Sequence, residues 1–158
     1  MNYHQSTPFD LRILFNPPYC GLVILNFINY YTLKTREDFP ASLIFLILPL
    51  TLNNQILDIF SKNPKKNLYQ LIENNTDIFY KFPSIIDNYI DITNEALFFL
   101  TESKSLIVDR NSILIDKKNI KLSASNDYID LKSIKSVANT LAKINDLQSI
   151  FITLGVKI

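Results

Sequence analysis

Glycine is nearly missing from this chain: Gly21 and Gly155 are the only two in 158 residues. Phosphate loops and dinucleotide fingerprints need several glycines, because backbone N–H groups must come close to the phosphate. Both devices are excluded. Cysteine and histidine are scarcer, with Cys20 and His4 the only examples. One Cys excludes an internal disulfide framework, and one Cys with one His cannot build a closed zinc site of the usual kind within a single chain. An excess of charge of one sign is lacking too: 16 basic and 15 acidic residues leave a formal charge of +1. No bulk field therefore draws the chain to nucleic acid or to an anionic membrane. The simplest expectation for compartment is a reduced cytoplasm. The start, Met1 to Pro8, lacks a basic stretch leading into an apolar core, so no secretory signal is expected.

What is abundant is apolar side chain, at 47% of residues, enough for one sizeable core at this length. Residues 1–14 read as an N-terminal arm and 15–158 as a single domain. Two apolar blocks invite a membrane reading. The block from Tyr19 to Tyr31 contains Asn26 and Asn29, and the block from Phe39 to Leu52 is short and carries Pro40 and Pro49. A span needs about 20 consecutive apolar residues. Both blocks are expected to be buried core, with no membrane partner.

Asn16-Pro17 is a helix start, since Asn can accept from orphan N–H groups and Pro is pre-set for the first helical position. The residues that follow are apolar nearly all round, which predicts a central helix fading into the polar run Thr32 to Asp38. Ala41 to Leu52 reads as a short helix that Pro49 ends or kinks, although Leu43–Leu48 also suits a strand. Asn63-Pro64 repeats the start signal for a helix over 64–74. Further helices are expected over 77–90, distorted near Pro83, and over 94–103 with Thr93 as its cap. The period then changes. Leu106–Val108 and Ile113–Ile115 flank a tight turn in which Asn111 is the candidate left-handed residue. A short strand is possible at Ile120–Leu122. Leu131, Ile134, Val137, Ala138, Leu141 and Ile144 mark an amphipathic helix over 130–145, and a last apolar segment stops at Gly155. The expected fold is α+β and mostly helical: N-terminal apolar helices followed by a winged-helix-like half with one β-hairpin.

Candidate chemistry is sparse. His4 could act as a base near neutral pH, but it lies in the arm and reads as an exposed tail residue. A nucleophilic Cys20 next to a helix start is conceivable, yet its apolar surroundings suit a small core residue better. Asp87, Asp91 and Glu95 recur every four residues and would align for a divalent cation on one uninterrupted helix. A cap at Thr93 would break that helix and leave a solvated acidic face. Lys104, Arg110, Lys117, Lys118, Lys121, Lys132 and Lys135 could touch phosphate from a winged half. The helix that would enter a groove, Thr93 to Glu102, has two Glu and no Arg or Lys, so base reading by it is not expected. No catalytic residue, cofactor or metal site is expected. The apolar excess instead predicts a partner-binding surface. Asn16, Pro17 and Tyr19 in the first turn, with Asn94, Glu95 and Phe98 on the later helix, are its candidates, against plain capping for Asn16.

The run Phe15-Asn16-Pro17-Pro18-Tyr19-Cys20-Gly21-Leu22 and the Phe39-Pro40 to Leu52 block with Leu48-Pro49-Leu50 carry a resemblance. So do Thr93-Asn94-Glu95-Ala96-Leu97-Phe98-Phe99 and the closing Leu154-Gly155-Val156-Lys157. Together they resemble the middle component of prokaryotic ABC three-component systems, to which a subunit of the Lamassu antiphage systems is related. The resemblance implies a non-catalytic adaptor. Its expected partners are an ABC ATPase of the SMC or Rad50 type and an effector, often a nuclease, with DNA contact at most indirect or weak. The alternative from a different class is a winged-helix regulator that binds DNA by itself.

Overall fold

In a computed structural model, residues 15–118 and 129–157 are described. The chain opens with α1 (Pro17–Thr35), whose N-cap Asn16 accepts the Tyr19 amide at 3.2 Å. Pro17 and Pro18 follow the cap, as the Asn-Pro signal predicts. Arg36 closes the helix in the left-handed region and returns its N–H to the Thr32 carbonyl. Cys20, Ile24, Phe27 and Ile28 are fully buried. The helix is central because apolar side chains lie on nearly all its sides: the helices over Ile90–Glu102 and Leu131–Ala142 both pack on it.

A two-residue strand, β1 (Phe39–Pro40), and a 3-10 turn (Ala41–Leu43) lead into α2 (Ile44–Leu52). The Leu43–Leu48 run is thus helical, and Pro49 sits inside α2. Asn53 then caps α3 (Asn54–Lys62), accepting from the Ile56 amide at 3.2 Å. This helix was not expected, and it moves the next start signal. Asn63 ends α3 instead of opening a helix at 64, and α4 (Leu68–Glu73) begins at Asn67. There Asn67 and Gln70 form a reciprocal capping box, which satisfies two orphan amides at once. The helix expected over 77–90 is two short ones, α5 (Thr76–Phe79) and α6 (Phe82–Asp87), with Pro83 in the first turn of the second.

Next comes α7 (Ile90–Glu102), unbroken through Thr93. Thr93 is fully buried, and its hydroxyl donates to the Tyr89 carbonyl at 2.7 Å. The capping role is therefore corrected: a threonine can bond back along its own helix instead of opening a new one. The hairpin forms as expected, from β2 (Leu106–Asp109) and β3 (Ser112–Ile115), with Asp109 opposite Ser112. The left-handed turn residue is Arg110, at φ 53°, and not Asn111. A two-residue hairpin loop takes positive φ at its first position to match the strand twist. The sheet gains a third strand from the other half of the chain, in the order β1-β3-β2, as Phe39 pairs with Ile113. The Ala41 amide donates to the Asn111 carbonyl at 2.7 Å and pins the 3-10 turn to the hairpin loop.

The amphipathic segment is α8 (Leu131–Ala142), capped by Asp130, with Ile134, Val137, Ala138 and Leu141 buried on its apolar face. That face packs on α1 and α3, and Ser136 Oγ donates across to the Phe60 carbonyl at 3.1 Å. The chain ends with α9 (Leu147–Leu154), stopped by left-handed Gly155. The architecture is α+β and mostly helical. The 1–14 arm with His4, and the possible strand at Ile120–Leu122, lie outside the described residues.

Both apolar blocks lie largely in the core. No single helix among the described residues is long and apolar enough to cross a membrane. The pair Ala41–Leu52 and Asn54–Lys62 passes such a test jointly, but it is bent by 90°, and its apolar residues Leu46, Ile47, Leu48, Leu50, Ile56 and Phe60 are buried.

Candidate partner-binding surface

Where α7 passes the start of α1, the two helices touch closely. A Cβ added to Gly21 would sit 3.0 Å from Leu100 Cδ2. Glycine at this position lets the helices approach without a side chain between them. The contact buries one face of α7 through Ile92, Ala96 and Leu100 and turns the other face outward. On the outer face Phe98 is 69% exposed and Phe99 41% exposed. Together with Pro17, Asn94, Glu95 and Glu102 they line an open groove of about 560 Å³. Its floor is apolar and its edges carry one amide and two carboxylates. β2 also packs against α7, and its Ile107 and Val108 are about half exposed or more.

Four of the six residues singled out from the sequence, Pro17, Asn94, Glu95 and Phe98, are brought together in this groove. The other two are not in its lining. Asn16 spends its side-chain oxygen on the helix cap. Tyr19 is half-buried and faces a separate hollow with Val23, Leu57 and Ile129. Phe99 and Glu102 were missed. Starting from Asn94, positions one, four, five and eight residues on share a helix face, and that spacing would have reached both.

Beneath the groove lies Cys20, fully buried. Burial, and then the charge of Glu95, push its thiol pKa up to about 12, so the thiolate that a nucleophile needs is disfavoured. Burial also raises the phenol pKa values of Tyr19 and Tyr89, with a smaller contribution from Cys20. Tyr89 stacks on Phe15 with ring centroids 5.8 Å apart. Asp91 and Glu95 share α7 while Asp87 closes α6, so the three carboxylates do not share one helix. Among the described residues no group of three or more His, Cys, Asp or Glu could hold a metal ion. Every buried side-chain polar atom among them has a hydrogen-bond partner.

These features describe a mostly helical α+β domain with an open apolar groove beside α7. The chain belongs to the Middle Component 3 family of ABC-three component (ABC-3C) systems, whose family model matches residues 5–158. It is thus a middle component of a multi-subunit system. No curated protein and no solved structure matches the chain.

Proposed function

We propose that this chain is a non-catalytic adaptor that joins an ABC ATPase of the SMC or Rad50 type to an effector subunit, often a nuclease, in a prokaryotic antiphage defence complex of Lamassu-like type. Its family supplies the frame, a middle component among several. The observation that carries the docking role is the groove beside α7, where Phe98 and Phe99 stay exposed above Pro17. Aromatic side chains ringed by polar groups are the usual energetic centre of a protein interface. The raised thiol pKa of Cys20 agrees with a non-catalytic role.

The test is co-purification of the tagged chain expressed with the other components of its system. The wild-type chain is expected to bring down both an ATPase and an effector. Phe98→Glu, which sets a charge on the groove floor, is expected to lose one of them while the melting temperature of the chain stays within a few degrees. A wild-type chain that emerges alone and monomeric overturns the adaptor reading. A Phe98→Glu chain that still retains both partners removes the groove from it.

A further inference from the structure

At the far end of α1 from the Pro17 groove, about 25 Å along the helix at 1.5 Å per residue, a second cleft of about 560 Å³ has the opposite chemistry. Lys34 enters it from the last turn of α1, Lys132 and Lys135 from α8, and Lys143 from the cap at the C-terminus of α8. These last three lysines stand at spacings of three and eight residues with Asn139 between the second and third, and because Lys143 keeps helical dihedrals all four fall on one helix face. The stripe from Lys132 to Lys143 is about 16 Å long, roughly the axial rise of five base pairs. Asp130 is the lone carboxylate of the lining, and it is engaged by the Ser133 amide at 3.0 Å and the Ser133 hydroxyl at 2.5 Å. The lysines are exposed. Among the described residues the one ion pair, Lys62 with Asp58, involves none of them. Lys135 instead sits 5.9 Å from the centroid of the Tyr30 ring. The loop that follows Pro64 of the lining adds Lys65 and Lys66, both exposed.

We propose that this cleft seats the phosphate backbone of nucleic acid without reading its sequence. Three observations favour that occupant over an acidic protein segment. The positive charge repeats along a line, as phosphates do. Pro64 is the sole apolar residue in the lining, so the cleft lacks the desolvated aromatic or aliphatic anchor that protein partners use. The neutral hydroxyl donors are already spent, with Ser61 bonded to the Leu57 carbonyl and Ser136 to the Phe60 carbonyl. Besides the Asn139 amide, what remains is charge, carried by lysine point charges without the bidentate guanidinium forks that read guanine. This surface is separate from the hairpin and from the outer face of α7, where Asp91, Glu95 and Glu102 oppose DNA. It depends neither on the partner reading above nor on the groove that carries it.

Four phosphate contacts give a slope of log K against log salt of about −3.6, or roughly 100-fold weaker binding between 50 and 200 mM salt. The full chain is titrated into a fluorescein-labelled 30-base-pair duplex, and anisotropy is read across that salt range. Lys132→Gln with Lys135→Gln is expected to flatten the slope by about two. Lys117→Gln with Lys118→Gln, the same charge change beyond the hairpin, is expected to leave it unaltered. Lys132→Arg with Lys135→Arg keeps the charge and should keep binding, which separates charge loss from misfolding. Two duplexes of unrelated sequence are expected to bind alike. The proposal fails if binding is absent at 50 mM salt or if the hairpin-side pair weakens it as much as the cleft pair. It also fails if polyglutamate of equal charge competes as well as unlabelled duplex, which would give the cleft to an acidic protein segment.

Discussion

The same truncation, phenylalanine to alanine, should cost much stability at position 39 and little at position 98. Phe39 is fully buried in β1 and meets Phe27 and Tyr31 edge-on, with ring centroids 6.1 and 5.1 Å away. It is also the strand residue paired with Ile113. Removing a buried Phe side chain costs about 3–5 kcal/mol, and the two aromatic pairs place Phe39→Ala at the upper end of that range. In a domain of this length 1 kcal/mol moves the melting temperature by about 2–4 °C, so a fall of roughly 10–20 °C is expected. Phe98 keeps 69% of its surface in water. The remaining third of a side chain worth about 1.5–3 kcal/mol when fully buried comes to under about 1 kcal/mol, so Phe98→Ala should shift melting by no more than about 4 °C. The assay is urea denaturation followed by circular dichroism, with thermal melts beside it. If the two variants lose similar stability, Phe98 belongs to the core and the groove is not a free surface. If Phe39→Ala melts like the wild type, the attachment of β1 contributes nothing to the fold.

Two further outcomes follow from the α1–α7 contact and the residues under it. Gly21→Ala places a methyl group 3.0 Å from a side-chain atom of buried Leu100. Overpacking of about 1–3 kcal/mol should exceed the helix-propensity gain of about 1 kcal/mol, for a net loss of up to about 2 kcal/mol that Leu100→Val partly restores. A Gly21→Ala chain more stable than wild type in urea would show that the helices have room to spare. Cys20 keeps its proton in the fold to about pH 12 but titrates near 9 once unfolded, so above pH 9 the folded state binds more protons and stability falls as pH rises. Buried Tyr31 and half-buried Tyr19 and Tyr89 act in the same direction above pH 10. Iodoacetamide should therefore label Cys20 in urea and not in the native chain between pH 7 and 9, while urea midpoints decline above pH 9. Rapid native labelling at pH 7.5 refutes this.

Signals that act over three or four residues were legible in the sequence. Asn16 with Pro17, the apolar stripe of α8 and Gly155 as a stop all state their roles locally, because caps and one-sided burial depend on near neighbours. Thr93 was ambiguous, because its hydroxyl serves equally well in a cap or bonded to a carbonyl one turn back. α3 escaped although Asn53 and the spacing of Ile56, Ile59 and Phe60 mark it. It follows α2 after one residue, and the Asn63-Pro64 pair that ends it also resembles a start. β1 was not legible, since two residues carry no period and their partner lies in the hairpin. The groove was partly legible because its residues come from one helix face and the first residue of α1. Of the lysine cleft only Lys132 and Lys135 were legible, as phosphate candidates grouped with the hairpin cations; Lys34 lies far from them in sequence and joins them only when α1 and α8 pack.

Phe39 and Ile113 are 74 positions apart, so joining them closes a loop that encloses α2 through α7. Helices and a two-residue hairpin can form within microseconds, whereas a long closure must wait until its ends are brought together. Until that closure, the edge of β3 that Phe39 and Pro40 cover is bare. A chain still growing on the ribosome has its N-terminal half ready and waiting for a strand not yet made. Severing the polypeptide anywhere inside that loop would turn an intramolecular latch into a meeting of two fragments, each holding one side of the clasp.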